Sequence, residues 1–169
     1  MQMEQQQEPN WCWAAVAVSV HNFLNANAGM TQGQVATPVL EKEQQIPAGV
    51  DCSQTPGLCN YSAGLDDALN VTGNLKSGGF LQNEYLLFDS IENWVNAQLP
   101  IGARIVWYGG GAHFIALDGY RVFNSGEQQV HVQDPLYGPS YQDYEDLVND
   151  YPPGGNWQDT YLVSKNGGS

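Results

Sequence analysis

The stretch that decides the fold is "QQQEPNWCWAAVAVSV", Gln5–Val20, in which a polar, glutamine-rich lead runs into the most apolar segment of the chain. Asn10 is a favourable N-cap residue, and the residues after it are apolar on nearly every side as far as Leu24. Alternating valines would also suit a strand, but the length of the run without a turn signal favours a buried helix.

One cysteine, Cys12, lies in this run, two residues beyond the predicted N-cap. A helix N-terminus carries partial positive charge, which favours a thiolate over a thiol. A free cysteine is also common as a small apolar residue of a core. Position alone therefore leaves two interpretations of Cys12, a nucleophile and a structural cysteine.

A cysteine nucleophile needs a base, and the chain has three histidines. His21 lies in the same predicted helix as Cys12, roughly 13 Å along its axis, which is too far for contact. His131 alternates with two valines and is expected to point away from the core face of its strand. His113 follows three glycines, whose bare backbone allows a substrate chain to approach, although a histidine at a strand start is also common as a structural residue. The glycine cluster favours His113 as the base.

A base histidine is held in the right tautomer by a third group. Asp118 shares a strand with His113 at an odd separation, so its side chain leaves the opposite face. Asn124 falls in the turn "FNSG", where asparagine has an ordinary turn role. Asp134 ends the next strand, and an antiparallel return brings that end near the start of the strand of His113. We expect Asp134 to orient the imidazole, although an Asp-Pro turn is also a frequent structural arrangement.

The length and net charge of the chain limit the number of domains and the classes of partner. The 169 residues suit a single domain over 1–169, and five Lys plus Arg against eighteen Asp plus Glu give a net charge of −13. This field repels phosphate backbones and anionic lipid, so we expect neither nucleic acid nor membrane as a partner. No apolar run approaches the roughly 20 residues of a membrane span. The acidic lead is also unlike a signal peptide.

The other two cysteines, Cys52 and Cys59, lie in the loop "DCSQTPGLCN", where they could close a small disulfide. That pairing leaves Cys12 as the odd thiol, a pattern of interest in an oxidising compartment. The spacing does not resemble a zinc site, and we expect no metal and no cofactor.

The rest of the chain divides near residue 100 into a mostly helical part and a mostly β part. Further helices are predicted over 31–45, with Pro38 inside or ending it, and over 65–71 and 89–99. After Pro100, "ARIVWY", "HFIALDGYRVF", "QQVHVQDP" and "DTYLVS" read as strands, with a short helix allowed between 137 and 151. The order predicts an α+β fold, with an N-terminal helical lobe of about 1–100 packed on an antiparallel sheet lobe of about 101–169.

Together, "NWCWAA", an upstream glutamine, "GAHFIALDGY" and "VHVQDPLYG" resemble papain-like cysteine peptidases, closest to the bacterial C39-like and AvrRpt2-like groups. The resemblance covers about residues 6–138. It implies a two-lobed papain-like fold with Cys12 as nucleophile, His113 as general base and acid, and Asp134 in the position that is Asn in papain itself. The family's oxyanion-hole glutamine matches Gln6, although Gln5 and Gln7 allow a shift in register.

The resemblance implies hydrolysis of a protein or peptide substrate through an acyl-enzyme. Trp107, Tyr108, Gly110 and Gly111 are the candidate substrate contacts, while Trp13 is expected in the core. Deamidases, transglutaminase-like enzymes and amidases use the same residue set, and a non-catalytic binding module is a further alternative. We also expect secretion or delivery outside the producing cell, as for a toxin or effector domain restrained by a cognate inhibitor or immunity protein.

Overall fold

The computed structural model describes residues 1–26 and 28–165 and has the predicted α+β architecture. Its helices are α1 (Cys12–Leu24), α2 (Gln32–Lys42), α3 (Leu65–Val71), α4 (Phe88–Asn96) and α5 (Tyr144–Asn149), with a short 3₁₀ helix at Pro56–Cys59. Its strands are β1 (Leu75–Leu81), β2 (Ile101–Trp107), β3 (Ala112–Val122), β4 (Gln128–Gln133), β5 (Ser140–Asp143) and β6 (Gly155–Val163).

The six strands form one sheet in the order β1-β6-β2-β3-β4-β5, and every neighbouring pair is antiparallel. The two outer strands, β1 and β5, were not predicted. The sequence of β1 contains two adjacent glycines and is mostly solvent-accessible, and β5 has only four residues. Neither strand therefore carries the clear apolar alternation that identifies a half-buried strand.

The start of α1 differs from the prediction. The N-cap is Trp11 rather than Asn10, and it makes no side-chain cap hydrogen bond. The Asn10 side chain does not cap the helix, because its amide donates a hydrogen bond to the backbone carbonyl of Asn60. Cys12 is consequently the first residue of the helix, one position beyond the cap instead of two.

Helix α2 begins as predicted, with a capping box between Thr31 and Gln34. The Thr31 hydroxyl accepts from the Gln34 backbone N–H, and the Gln34 side chain accepts from that of Thr31. Pro38 lies inside the helix and does not end it.

The sheet has a buried core on each face. Because side chains alternate along a strand, Phe114 and Ala116 of β3 join the core formed with α1, α2 and α3, while Ile115 and Leu117 join the core beneath α4 and α5. Both β1 and α4 precede residue 100, yet β1 pairs with β6 and α4 packs on the sheet. The part before residue 100 is thus mostly helical, but it also contributes one strand to the sheet and one helix to the core on its outer face.

Candidate active site

The N-terminus of α1 and the first residues of β3 face a shared cleft of about 640 Å³. Gln6, Cys12 and His113 all line it, although His113 is far from Gln6 and Cys12 in the sequence. The other lining residues include Pro9, Asn10, Trp13, Ser62, Ala63, Gly64, Phe80, Arg104, Trp107, Ala112, Phe114, Leu136, Tyr137, Asp159 and Tyr161.

Cys12 is a free, half-buried thiol at the first position of α1. The backbone N–H groups of the first helical turn have no partners within the helix and give this end its partial positive charge. The flanking Trp11 and Trp13 are fully buried, so the rigid start of the helix fixes the position of the thiol.

His113 is the second residue of β3, and only 4% of its surface is exposed. Its Nε2 lies 2.8 Å from Oδ1 of Asp134. Because an ionised carboxylate can only accept, Nε2–H is the donor, which leaves Nδ1 as the nitrogen available to Cys12.

Burial lowers the pKa of His113, but hydrogen bonds to Asp134 and Cys12 and the negative charges of both groups raise it to about 9. An imidazole with this pKa carries a proton at neutral pH. A protonated imidazole beside a thiol is the arrangement that stabilises a thiolate–imidazolium pair.

Asp134 follows β4 and has only 2% of its surface exposed. Oδ1 also accepts from the backbone N–H groups of Leu136, at 2.8 Å, and Tyr137, at 3.0 Å. Oδ2 accepts from the Tyr151 hydroxyl at 2.7 Å. Burial raises the pKa of Asp134, but the hydrogen bond and charge of His113, with smaller effects from Tyr137 and Tyr151, lower it below its ordinary value. The carboxylate is thus ionised at neutral pH.

Gln6 lines the cleft, whereas Gln5 and Gln7 are exposed. The Gln6 backbone N–H donates to the carbonyl of Pro135 at 3.0 Å, which ties the lead segment to the residue after Asp134. Its side-chain Nε2 donates to the carbonyls of Glu8, at 3.2 Å, and Pro9, at 2.7 Å. The Gln6 Oε1 atom is buried without a hydrogen-bond partner.

Of the four candidate substrate contacts, Trp107 lines the cleft, and its ring stacks on His113 with centroids 5.8 Å apart. Tyr108, Gly110 and Gly111 are not among the lining residues of the cleft. Tyr108 is 64% exposed, and its hydroxyl donates to the carbonyl of Asn149. Gly110 and Gly111 form the β2–β3 turn with φ of +97° and +85°, so the turn conformation requires glycine there.

The other polar candidates have partners of their own. His21 Nδ1 bonds Asn74 at 2.7 Å, and His131 Nδ1 bonds Asp118 at 2.6 Å. Asp118 is therefore engaged with His131 and does not contact His113. Asn124 lies in an exposed turn, as the sequence predicts.

The cleft contains residues that the sequence reasoning missed. Three aromatic side chains and an ion pair line it: Phe80, Phe114, Tyr161, and Arg104 with Asp159 at 3.1 Å. They come from β1, β2, β3 and β6, and only the pairing of these strands brings them together. Tyr151 was missed as well, because nothing local in the sequence links it to Asp134.

The structure joins Cys52 and Cys59 in a disulfide with a Cα–Cα distance of 5.7 Å. Within residues 1–26 and 28–165, no three His, Cys, Asp or Glu side chains assemble into a possible metal site. No helix in the described part of the chain is long and apolar enough to cross a membrane.

Comparison with curated proteins gave no match. The model of the family described as "Papain-like cysteine protease AvrRpt2" matches residues 1–151, which span Gln6, Cys12, His113, Asp134 and Tyr151. The match confirms the resemblance to papain-like peptidases of the AvrRpt2-like group, while the C39-like assignment stays a prediction. The chain belongs to the family of papain-like cysteine proteases represented by AvrRpt2, and it is a cysteine peptidase.

Proposed function

We propose that the protein hydrolyses peptide bonds through an acyl-enzyme on Cys12, with His113 as general acid and base and Asp134 as the group that orients the imidazole. The observation that carries this proposal is the position of His113. Its Nε2 is held by Asp134 at 2.8 Å, and it lines the same cleft as the thiol.

In the proposed reaction the Cys12 thiolate attacks the scissile carbonyl carbon and forms a tetrahedral intermediate. The C–N bond then breaks, and the His113 imidazolium gives its proton to the leaving amine. A water molecule next attacks the thioester while the neutral imidazole accepts its proton. The C–S bond of this second tetrahedral intermediate then breaks, and release of the carboxylic acid product leaves the thiolate–imidazolium pair.

The oxyanion would be held by the backbone N–H of Cys12 and the side-chain amide of Gln6. Both donor positions of the Gln6 amide are directed at the Glu8 and Pro9 carbonyls. The longer bond, 3.2 Å to Glu8, is the weaker one. We infer that this N–H turns to the oxyanion when substrate enters the cleft.

The test is digestion of a denatured proteome by the wild type and by Cys12→Ala, followed by sequencing of new peptide termini. We expect new termini only with the wild type. Mass shifts of about one dalton without chain cleavage would instead identify side-chain deamidation. Full cleavage by Cys12→Ala would refute the nucleophile assignment.

The finer biological setting is also a proposal: an effector or toxin domain that is secreted or delivered and is restrained by a cognate inhibitor. The disulfide between the fully buried Cys52 and Cys59 supports folding in an oxidising compartment. Expression of wild type and Cys12→Ala in the cytosol of a host tests it. We expect the wild type to slow growth of the host and Cys12→Ala not to. We also expect a protein encoded beside the peptidase to relieve the effect of the wild type. Equal growth with both forms would count against this setting.

A further inference from the structure

The two oxygens of Asp134 are held very differently. Oδ1 accepts from His113 and from two backbone N–H groups, whereas among the residues that the structure describes Oδ2 accepts from the Tyr151 hydroxyl alone, at 2.7 Å. The carboxylate is almost fully buried, so without Tyr151 no donor from residues 1–26 or 28–165 would replace the hydroxyl at Oδ2.

Tyr151 is itself firmly placed. It is 3% exposed and lies just after α5, where its backbone N–H donates to the Gly155 carbonyl at 2.7 Å and its carbonyl accepts from the Gly155 N–H at 3.0 Å. Its ring stacks on Trp107 with centroids 6.2 Å apart, and Trp107 in turn stacks on His113. Its backbone and ring contacts therefore aim the hydroxyl at Oδ2.

We propose that Tyr151 is a positioning residue of the reaction, whose hydroxyl holds the Asp134 carboxylate ionised and turned so that Oδ1 meets His113 Nε2. This inference rests on the function proposed above. The hydroxyl acts through Asp134, since Tyr151 does not line the cleft that contains Cys12.

The protonation states agree with this role. Burial raises the pKa of Tyr151, and the charge of Asp134 raises it further, so the phenol stays a donor throughout the working pH range. The bond that it donates is one of the effects that lower the pKa of Asp134. Loss of the hydroxyl therefore makes Asp134 easier to protonate at the bare Oδ2. That proton removes the negative charge that His113 Nε2–H faces and so weakens the hydrogen bond that orients the imidazole.

The experiment compares Tyr151→Phe with Tyr144→Phe. Tyr144 donates to the Leu86 carbonyl at 3.0 Å and is a matched control outside the triad. Two readouts are followed against pH: alkylation of Cys12 by iodoacetamide, and kcat and KM on a peptide cut by the wild type. For Tyr151→Phe we expect kcat to fall by about tenfold with KM nearly unchanged. We also expect the acid limb of both profiles to move to higher pH.

Tyr144→Phe is expected to keep the wild-type profile. A Tyr151→Phe enzyme with an unshifted acid limb would overturn the inference, whether its rate is normal or uniformly reduced, because uniform loss is what a packing role alone produces. If iodoacetamide alkylates wild-type Cys12 no faster than a free thiol at acidic pH, the function proposed above is wrong.

A second comparison can be made even where Tyr151→Phe does not fold. In Asp134→Asn the buried negative charge that accepts from the Tyr151 hydroxyl is absent, so loss of the hydroxyl leaves no buried charge without its donor. If Tyr151 acts through Asp134, Asp134→Asn and the double variant Asp134→Asn/Tyr151→Phe alkylate at the same rate. A further fall of several-fold in the double variant would show that Tyr151 acts by another route.

Discussion

The indole N–H of Trp11 donates a hydrogen bond of 2.7 Å to the backbone carbonyl of Cys59. Trp13 makes the same kind of bond, 3.1 Å long, to the carbonyl of Tyr61. Both tryptophans that flank Cys12 therefore hold the segment between the disulfide and residues 62–64, which form one wall of the cleft. The nucleophile and this wall are thus positioned by the same short stretch of α1.

Trp11→Phe tests this link. The substitution keeps most of the apolar ring but leaves the Cys59 carbonyl without its indole donor, so we expect a loss of about 1–3 kcal/mol in the free energy of unfolding. We also expect kcat/KM to fall, because the wall is no longer held to the start of α1. Denaturant unfolding and peptide hydrolysis measure the two effects. Trp94→Phe, at a half-buried position packed against the core on the other face of the sheet, is the control for ring size, and an equal loss of kcat/KM there would contradict the link.

The disulfide holds the other end of the same wall. Cys52 and Cys59 are seven residues apart, and closing so short a loop stabilises a protein by about 2.5 kcal/mol on the chain-entropy model. We expect the double variant Cys52→Ala/Cys59→Ala to lose roughly that amount in denaturant unfolding. Cys12→Ala, which leaves the bridge intact, should not. A double variant as stable as the wild type would show that the loop is held by its hydrogen bonds alone.

The candidate site could be proposed from the sequence because its residues lie at positions that regular structure fixes. The first residue of a helix presents Cys12, and the antiparallel pairing of β3 with β4, with Ala116 opposite Gln133, brings Asp134 back toward His113. The family match supports the fold and the peptidase class. The fold class follows from local pattern and strand order, whereas the peptidase class was implied by the resemblance of these motifs to a known family.

What the sequence could not predict depends on contacts between distant segments. Asn10 has the right residue type for an N-cap, but its side-chain amide instead donates a hydrogen bond to the backbone carbonyl of Asn60. Tyr151 reaches Asp134 only because the turn before β6 returns the chain to the end of β2. Residue type and spacing along the chain do not indicate which distant residues will be in contact in the fold.

The pH dependence should follow His113. Its pKa is raised from 6.5 to about 9, so the imidazolium is retained across neutral pH and lost as the pH rises through 9. We therefore expect kcat/KM to fall on the alkaline side near pH 9. The stabilisation from this proton is fully present below pH 6.5 and disappears toward pH 9. The stability difference between wild type and His113→Gln should shrink over that interval, whereas an alkaline limb near 6.5 would contradict the raised pKa.

Gly155 has no side chain, and its absence makes room for the Trp107 ring that stacks on His113. A Cβ at this position would lie 2.6 Å from the Trp107 ring and 2.8 Å from the Val106 carbonyl oxygen, so Gly155→Ala must displace one of them. We expect a loss of about 1–3 kcal/mol in stability and a lower kcat/KM. Gly109→Ala is the control, because its Cβ would meet nothing within 4 Å. Thermal unfolding and hydrolysis rates of the two variants give the comparison, and equal behaviour would mean that Trp107 relaxes without consequence.

The Gln6 side chain offers the sharpest test of the oxyanion site. Its removal in Gln6→Ala should cost about 3 kcal/mol of transition-state stabilisation, which is on the order of a hundredfold in kcat, with KM little changed. Gln7→Ala is the matched control, since Gln7 is exposed and outside the cleft. Gln6→Glu should be worse than Gln6→Ala, because a carboxylate has no N–H to donate and would repel the developing negative charge. If Gln6→Ala instead retained wild-type kcat, the bonds to Glu8 and Pro9 would be the whole role of this amide, and the oxyanion would depend on backbone donors.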